Sequence, residues 1–479
     1  MADSKQDRGS VNTSKKKPNY VLLGLLLGAA CLIALYRFSP CGILDIGRGD
    51  RGATPAASED PEDIWVTVPL DYANSDGPKA FVALAKVPSK VSTSDRAYRG
   101  PILFNPGGPG ASAIDLIRGA GQGFQAVLGE EYDVIGFDPR GVGRTLPLLN
   151  VFPDETEGFR WRVQSDALPL PNITEDAVAR LRAQSIIYAQ LAESRVADVA
   201  PYVTTALVCR DMLSIMAAHG RDKLQYWGFS YGSVIGATFA AMFPDRIERM
   251  TLDALFSDNL LDADKVLDWF LQECVAVGSE QCVFHASSVP ELKTRLMTLL
   301  DSFKANPLPV TTSSSPTLAT EYGLVDYALV MRVLFGFLTS PHPSIVYPIS
   351  ATSMASALLA AEKGDGTPMW NLYKFNILQP ARRCDQQVPG PSITNDAVAA
   401  ISCTDGDPVN DTTEELQALF NRMVEDSMFS VIWTHRARCA CVLCFQLQSV
   451  TMLMRCQRME DKAGGTLQRY VYHFNITVT

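Results

Sequence analysis

The five residues Gly228-Phe-Ser230-Tyr-Gly232 constrain this chain more than any other stretch, because an apolar run, Leu224–Trp227, leads into them and a helical pattern opens at Ser233. A serine so placed can occupy a strained strand-to-helix turn. There the glycines remove side chains that would collide, and the hydroxyl projects from the carboxyl edge of a sheet. An ordinary turn with a capping serine has the same letters, but the flanking strand and helix favour the chemical alternative. The rest of the chain supplies the sheet. Short runs rich in β-branched and aromatic residues (Ile64–Val68, Ala80–Ala85, Pro101–Phe104, Tyr132–Phe137, Leu224–Trp227, Arg249–Leu252) alternate with helical spacing over 174–198, 203–219 and 233–242. That order predicts an α/β fold, a mostly parallel sheet with helices on both faces.

A second glycine-rich turn, Asn105-Pro-Gly107-Gly108-Pro-Gly110, follows the run Pro101–Phe104. Acyl transfer needs hydrogen-bond donors aimed at the developing oxyanion. The Tyr231 amide and one amide from Gly107-Gly108 are the available sources. A third segment, Gly136-Phe-Asp138-Pro-Arg140-Gly-Val-Gly143-Arg144, lacks the glycine order of a dinucleotide site. Asp138 and Arg140 are expected to brace the loops around the pocket. Composition narrows the partners. The 479 residues are 47% hydrophobic and 20% charged, which excludes disorder as the main state. The 42 basic residues against 52 acidic ones give a net charge of −10, which argues against nucleic acid as a partner.

The three motifs, with Tyr226-Trp-Gly-Phe-Ser-Tyr-Gly-Ser233 running on to Met242-Phe-Pro-Asp245, resemble the tripeptidyl and prolyl aminopeptidase-like branch of the α/β-hydrolase superfamily. The resemblance is close over about 60–260. It is loose over 260–440, where Ala400-Ile-Ser-Cys403-Thr-Asp405-Gly406, Val431-Ile-Trp433 and Cys439 carry it. It implies the α/β-hydrolase fold, a serine nucleophile at Ser230, an oxyanion loop at Gly107-Gly108 and a helical lid that shapes specificity. The peptidases of the branch take peptides with a free amino terminus, and related fungal proteins act as tailoring hydrolases in secondary metabolism.

A serine nucleophile needs a base and an orienting acid, in the order Ser, Asp or Glu, His. The branch carries its acid in an Asp-Pro-Val-Thr-Pro-like stretch and its base in a Gly-His-Cys-like turn, and this sequence holds neither. Of five histidines, His219 precedes the serine, His285 and His342 lie in the insertion, His435 follows Trp433, and His473 stands near the end. His473, within the strand-like Tyr470–Asn475, and Asp253, after the run Arg249–Leu252, remain the candidates for base and acid. Asp405 and Asp407 read as loop or capping residues. Cys439, Cys441, Cys444 and Cys456 lack the ligand spacing of a zinc site. The chemistry calls for no metal and no organic cofactor. The basic, cysteine-rich tail begins where the resemblance stops. An altered C-terminus accounts for it, through a gene-model error or a genuine loss that leaves a non-catalytic homologue.

The apolar run Tyr20–Tyr36 follows a cluster of lysines, so residues 20–37 are expected to form a signal anchor with a cytosolic tail, 1–19, and the body lumenal or extracellular. Secretion after signal cleavage is the alternative. The remaining expected units are a linker at 38–62, a core at 63–255, a mainly helical lid at 256–435 and an atypical tail at 436–479. Outside the cytosol, Asn172, Asn410 and Asn475 are glycosylation candidates, and Cys274 with Cys282, or Cys384 with Cys403, could close local disulfides. Three functions fit. The first is an aminopeptidase-like serine hydrolase cleaving peptide, amide or ester bonds, the second a tailoring esterase or lactone hydrolase, and the third a binding protein that keeps the pocket without the base.

Overall fold

The computed structural model describes residues 64–152, 154–253, 263–312, 321–338, 347–376, 395–406 and 411–432. Six strands form one sheet: β1 (Ile64–Pro69), β2 (Lys79–Val87), β3 (Gly100–Asn105), β4 (Tyr132–Phe137), β5 (Leu224–Phe229) and β6 (Ile247–Asp253). Their spatial order is β1-β2-β4-β3-β5-β6. The β1-β2 and β2-β4 pairs are antiparallel, while β3 runs parallel to both β4 and β5, and β5 to β6. Every residue of β3 and β4 is buried, as central strands covered on both faces require.

Alternation along the strands assigns the two faces. Ala83, Ile102, Phe104 and Val134 point to α1 (Ala113–Leu128), which buries Ile114, Ile117 and Phe124 on them. Ser112 starts α1 by accepting the Asp115 amide. Leu84, Leu103, Ile135 and Tyr226 point the other way, toward α3 (Ala177–Val196), α4 (Thr205–Ala218) and α5 (Tyr231–Met242). Two helices stand where the sequence predicts none, α1 and a further one, α2 (Glu155–Asp166). The latter lies between β4 and α3. Its apolar Phe159 and Val163 are exposed, so it carries no buried periodic stripe.

Beyond β6 a second hydrophobic core gathers α6 (Ala263–Val277), α7 (Val289–Ala305), α8 (Tyr327–Leu338), α9 (Tyr347–Glu362) and α10 (Thr367–Asn376). This stretch is not purely helical. The strands β7 (Leu308–Thr312) and β8 (Glu321–Val325) form an antiparallel pair inside it, a departure from the mainly helical lid expected there. Pro309 hides β7 from a pattern search, yet a two-stranded sheet is all edge and tolerates the missing donor. Two more helices follow, α11 (Asn395–Asp405) and α12 (Thr413–Asp426). Although α11 falls in the stretch expected to form the lid, it buries Ala397, Ala400, Ile401 and Cys403 in the first core, against the sheet's helices.

Cys274 and Cys282 form a disulfide that ties the end of α6 to the following turn. The alternative pair is not described, because Cys384 lies outside the described residues, while Cys403 is buried in the first core. Among the described residues no helix is long and apolar enough to cross a membrane. The expected tail, anchor and linker (1–62) and the C-terminal tail (436–479) lie outside the described residues.

Candidate active site

Ser230 sits between β5 and α5, at the carboxyl edge of the sheet, and is partly exposed. Its φ of 53° and ψ of −123° make it the one non-glycine residue with positive φ among the described residues. Such a conformation costs about 1–3 kcal/mol and persists only where its surroundings over-determine it. Here they do. The Ser230 amide donates to the Asp253 carbonyl at 2.9 Å, and the Ser230 carbonyl accepts the Ser233 amide at 2.8 Å. The Ser233 hydroxyl lies 3.2 Å from the Gly228 carbonyl and 3.1 Å from that of Asp253.

Both glycines of the motif are sterically required. A Cβ on Gly228 would stand 2.3 Å from the Gly232 carbonyl oxygen, and one on Gly232 would stand 2.6 Å from that of Asn105. The same logic draws the second glycine turn onto the serine. A Cβ on Gly107 would lie 2.4 Å from the Phe229 carbonyl oxygen, 2.7 Å from the Tyr231 nitrogen and 2.8 Å from the Ser230 Cβ. Gly107 and Gly108 also hold φ of 91° and 109°, which a side chain would strain. Of the two loop amides, that of Gly107 is already engaged: it donates at 2.9 Å to the buried Asn105 Oδ1. Gly108 is thus left as the loop's candidate donor, beside the Tyr231 amide in the first turn of α5.

Asp138 and Arg140 divide the bracing between them. Asp138 is fully buried and accepts from the Ser112 hydroxyl (2.8 Å), the Ile114 amide (3.2 Å) and the Arg144 amide (2.9 Å). It thereby pins the loop after β4 to the start of α1. Burial pushes its carboxyl up to about 6, against the pull of the Arg144 and Ser112 hydrogen bonds. Arg140 ties other segments together. Its fork meets Asp211 through Nε (2.5 Å) and Nη2 (2.7 Å), while Nη1 and Nη2 also donate to the carbonyls of Leu70, Tyr202 and Pro69. Five N–H groups meet five acceptors, so a buried charge is fully satisfied.

Asp253 reaches the elbow through its backbone: it pairs with Phe229 in register, and its carbonyl holds Ser230. Among the histidines, only His219 and His285 lie in described segments. His219 ends α4 with its Nδ1 2.9 Å from the Ile215 carbonyl, at the opposite edge of the sheet from Ser230. His285 lies in the second core's region, its carbonyl 2.9 Å from Arg295 Nη1. His342, His435 and His473 are outside the described residues, as are Asn410 and Asn475. Asn172 is exposed, and its side-chain amide donates to the Tyr327 hydroxyl at 3.1 Å. Asp405, read from the sequence as a local loop or capping residue, instead reaches a distant helix, accepting the Thr205 amide at the start of α4 at 2.8 Å. The engagement of Gly107 had a sequence signal: an asparagine two residues ahead of a turn amide accepts from it. The Arg140–Asp211 pair had none, being 71 residues apart.

A sheet of this order, a serine on a positive-φ turn after its fifth strand and a glycine loop pressed against that turn define an α/β-hydrolase core, and residues 100–282 match the alpha/beta hydrolase fold family. Over this core the chain is similar to aminopeptidase-like members of that fold. It is 34% identical over 197 residues to the tripeptidyl aminopeptidase of Streptomyces coelicolor, covering 41% of this chain and 35% of that protein. It is 33% identical over 195 residues to the serine protease Hip1 of Mycobacterium tuberculosis, covering 40% and 36%. A match to carboxylesterase B of the same organism is 35% identical over 149 residues, covering 31% and 27%. The chain thus spans about a third of the length of the curated relatives it matches. Among solved structures, an epoxide hydrolase from Vigna radiata aligns over 66% of this chain and 73% of its own at 14% identity. Its TM-score of 0.22 is too low for its site to inform this one.

Proposed function

We propose that the protein is a serine hydrolase in which Ser230 Oγ attacks the carbonyl carbon of a peptide, amide or ester. The oxyanion is held by the amides of Tyr231 and Gly108, the leaving group departs, and water releases the acyl group from the serine. The carrying observation is the strained Ser230 turn in contact with Gly107. His473 and Asp253 are the residues to test as base and acid. Asp253 stands at the end of the strand beside the nucleophile. The aminopeptidase-like matches support a peptide with a free amino terminus as substrate. The carboxylesterase match favours a second reading, a small-molecule ester. The Cys274–Cys282 disulfide supports a body outside the cytosol, because such bonds persist in oxidising compartments, whether residues 20–37 anchor it or are cleaved as a signal.

The test is fluorophosphonate labelling of the full chain with peptide mapping. Labelling on Ser230, abolished in Ser230→Ala, is the expected result. Equal labelling of the variant, or none of the wild type, overturns the proposal and leaves a binding protein. A panel of amino-acyl amides against simple esters then separates the two substrate classes, and turnover of esters alone removes the peptidase reading.

A further inference from the structure

The Tyr231 side chain is as constrained as its backbone. It is 6% exposed, and its hydroxyl is hydrogen-bonded to the Thr205 hydroxyl, itself 4% exposed. The Thr205 hydroxyl in turn donates to Asp405 Oδ2, while the Thr205 amide donates to Asp405 Oδ1 at 2.8 Å. A hydroxyl has one proton. Once Thr205 gives it to the carboxylate, its oxygen is an acceptor and Tyr231 must be the donor. Burial holds the Tyr231 phenol well above its ordinary value, so that proton stays in place. The relay therefore runs in one direction, from Tyr231 through Thr205 to Asp405.

The two ends of this relay belong to different parts of the protein. Tyr231 opens α5, with its amide beside Gly107, whereas Asp405 closes α11, which lies in the chain between α10 and α12, whose residues contribute to the second core. The other end of α11 is secured in the same manner. Asp396 accepts the Val151 amide at 2.8 Å and the Tyr188 hydroxyl. So α11 is fastened to the hydrolase core by a carboxylate at each end, and one of the two leads to the residue after the nucleophile.

We propose that Asp405 is a positioning residue for acyl transfer. Through Thr205 it fixes the Tyr231 side chain, and with it the amide that receives the oxyanion, so that the oxyanion site is complete only when α11 is docked. This inference rests on the proposed hydrolase function.

Thr205→Val separates the relay from the helix cap, because valine keeps the shape and the amide that Asp405 caps but removes the hydroxyl. On the full chain, Thr205→Val is expected to slow fluorophosphonate labelling of Ser230 about tenfold. It should also lower kcat on a small ester with KM little changed, as a misplaced oxyanion donor does. Thr205→Ser restores both, and Tyr231→Phe matches Thr205→Val. The double variant Thr205→Val/Tyr231→Phe is no slower than either single one, since both break the same path. Wild-type rates in Thr205→Val and Tyr231→Phe, or additive losses in the double variant, overturn the inference while leaving the hydrolase standing. If the wild type itself is not labelled, the hydrolase reading fails, and amide hydrogen exchange over 229–234 decides the rest. Exchange that is faster in Thr205→Val and Tyr231→Phe upholds the coupling, and unchanged exchange removes it.

Discussion

The two hydrophobic cores are built by different rules. Around Ser230 the first core is fixed atom by atom: Gly107, Gly228 and Gly232 each stand where a Cβ would fall under 3.0 Å from backbone atoms beyond their chain neighbours. The second core is a packing of Leu, Phe and Val from α6 to α10 and the β7–β8 pair, where volume and pattern matter more than identity. A position that accepts only glycine stays readable across distant relatives, whereas one that accepts any apolar residue of suitable size drifts. The family match runs through all three glycines and ends at residue 282, after the first helix of the second core.

Substitutions in each core test the contrast. The largest loss is expected for Gly107→Ala, which combines backbone contact at 2.4 Å with a φ of 91°. Labelling of Ser230 should fall at least about a hundredfold, with a stability loss above about 3 kcal/mol; a mild effect would show that the loop yields and is not fixed. Asp211→Ala strands the buried Arg140 guanidinium and should cost about 3–5 kcal/mol in denaturant unfolding, whether or not the active site is assayed. In the second core, Leu300→Met is expected to cost under about 1.5 kcal/mol, because the volume is conserved. A loss as large as that of Asp211→Ala would erase the distinction between the cores.

Two smaller effects sharpen it. The Asp138 carboxyl is raised in the fold to about 6 from an ordinary value near 3.8, so the folded state binds its proton more tightly than the unfolded chain. The stability this group contributes is fully present below the lower value and is lost as pH rises through about 6. Relative to Asp138→Asn, the wild type should gain roughly 1 kcal/mol on going from pH 7 to pH 5, and a difference flat in pH refutes the assignment. Gly123 in α1 has open space where its Cβ would be. Gly123→Ala should therefore raise stability by about 0.5–1 kcal/mol, measured by thermal melting. A partly buried glycine of α1, on the sheet's other face, is thus free to change.

The sheet was largely legible because each strand is a short apolar run bounded by turns, and Ile64 does open β1. The serine turn was legible because its glycines are obligatory. Two elements escaped the reading for want of a periodic signal: α2 leaves Phe159 and Val163 in solvent, and β7 carries Pro309. The helix α1 escaped although it buries Ile114, Ile117, Gly121 and Phe124 at helical spacing. Long-range polar pairings escaped for a different reason. Arg140 and Asp211, or Thr205 and Asp405, are 71 and 200 residues apart, and nothing local distinguishes them from surface charges or caps. The return of α11 to the first core was hidden likewise, since alanines serve either core equally.

The guanidinium of Arg140 also bears on how the chain is made. Its acceptors come from residues 69 and 70, which leave the ribosome before it, and from 202 and 211, which leave after it. Until residue 211 has emerged, the arginine has no carboxylate partner, and a buried unpaired charge opposes closure of the sheet's first half. A nascent chain halted short of that point should stay protease-sensitive throughout β1 to β4, and one halted well past β6 should not. The ion pair thus links compaction of β1 to β4 to the arrival of residues shortly ahead of β5, the strand that leads into the serine turn.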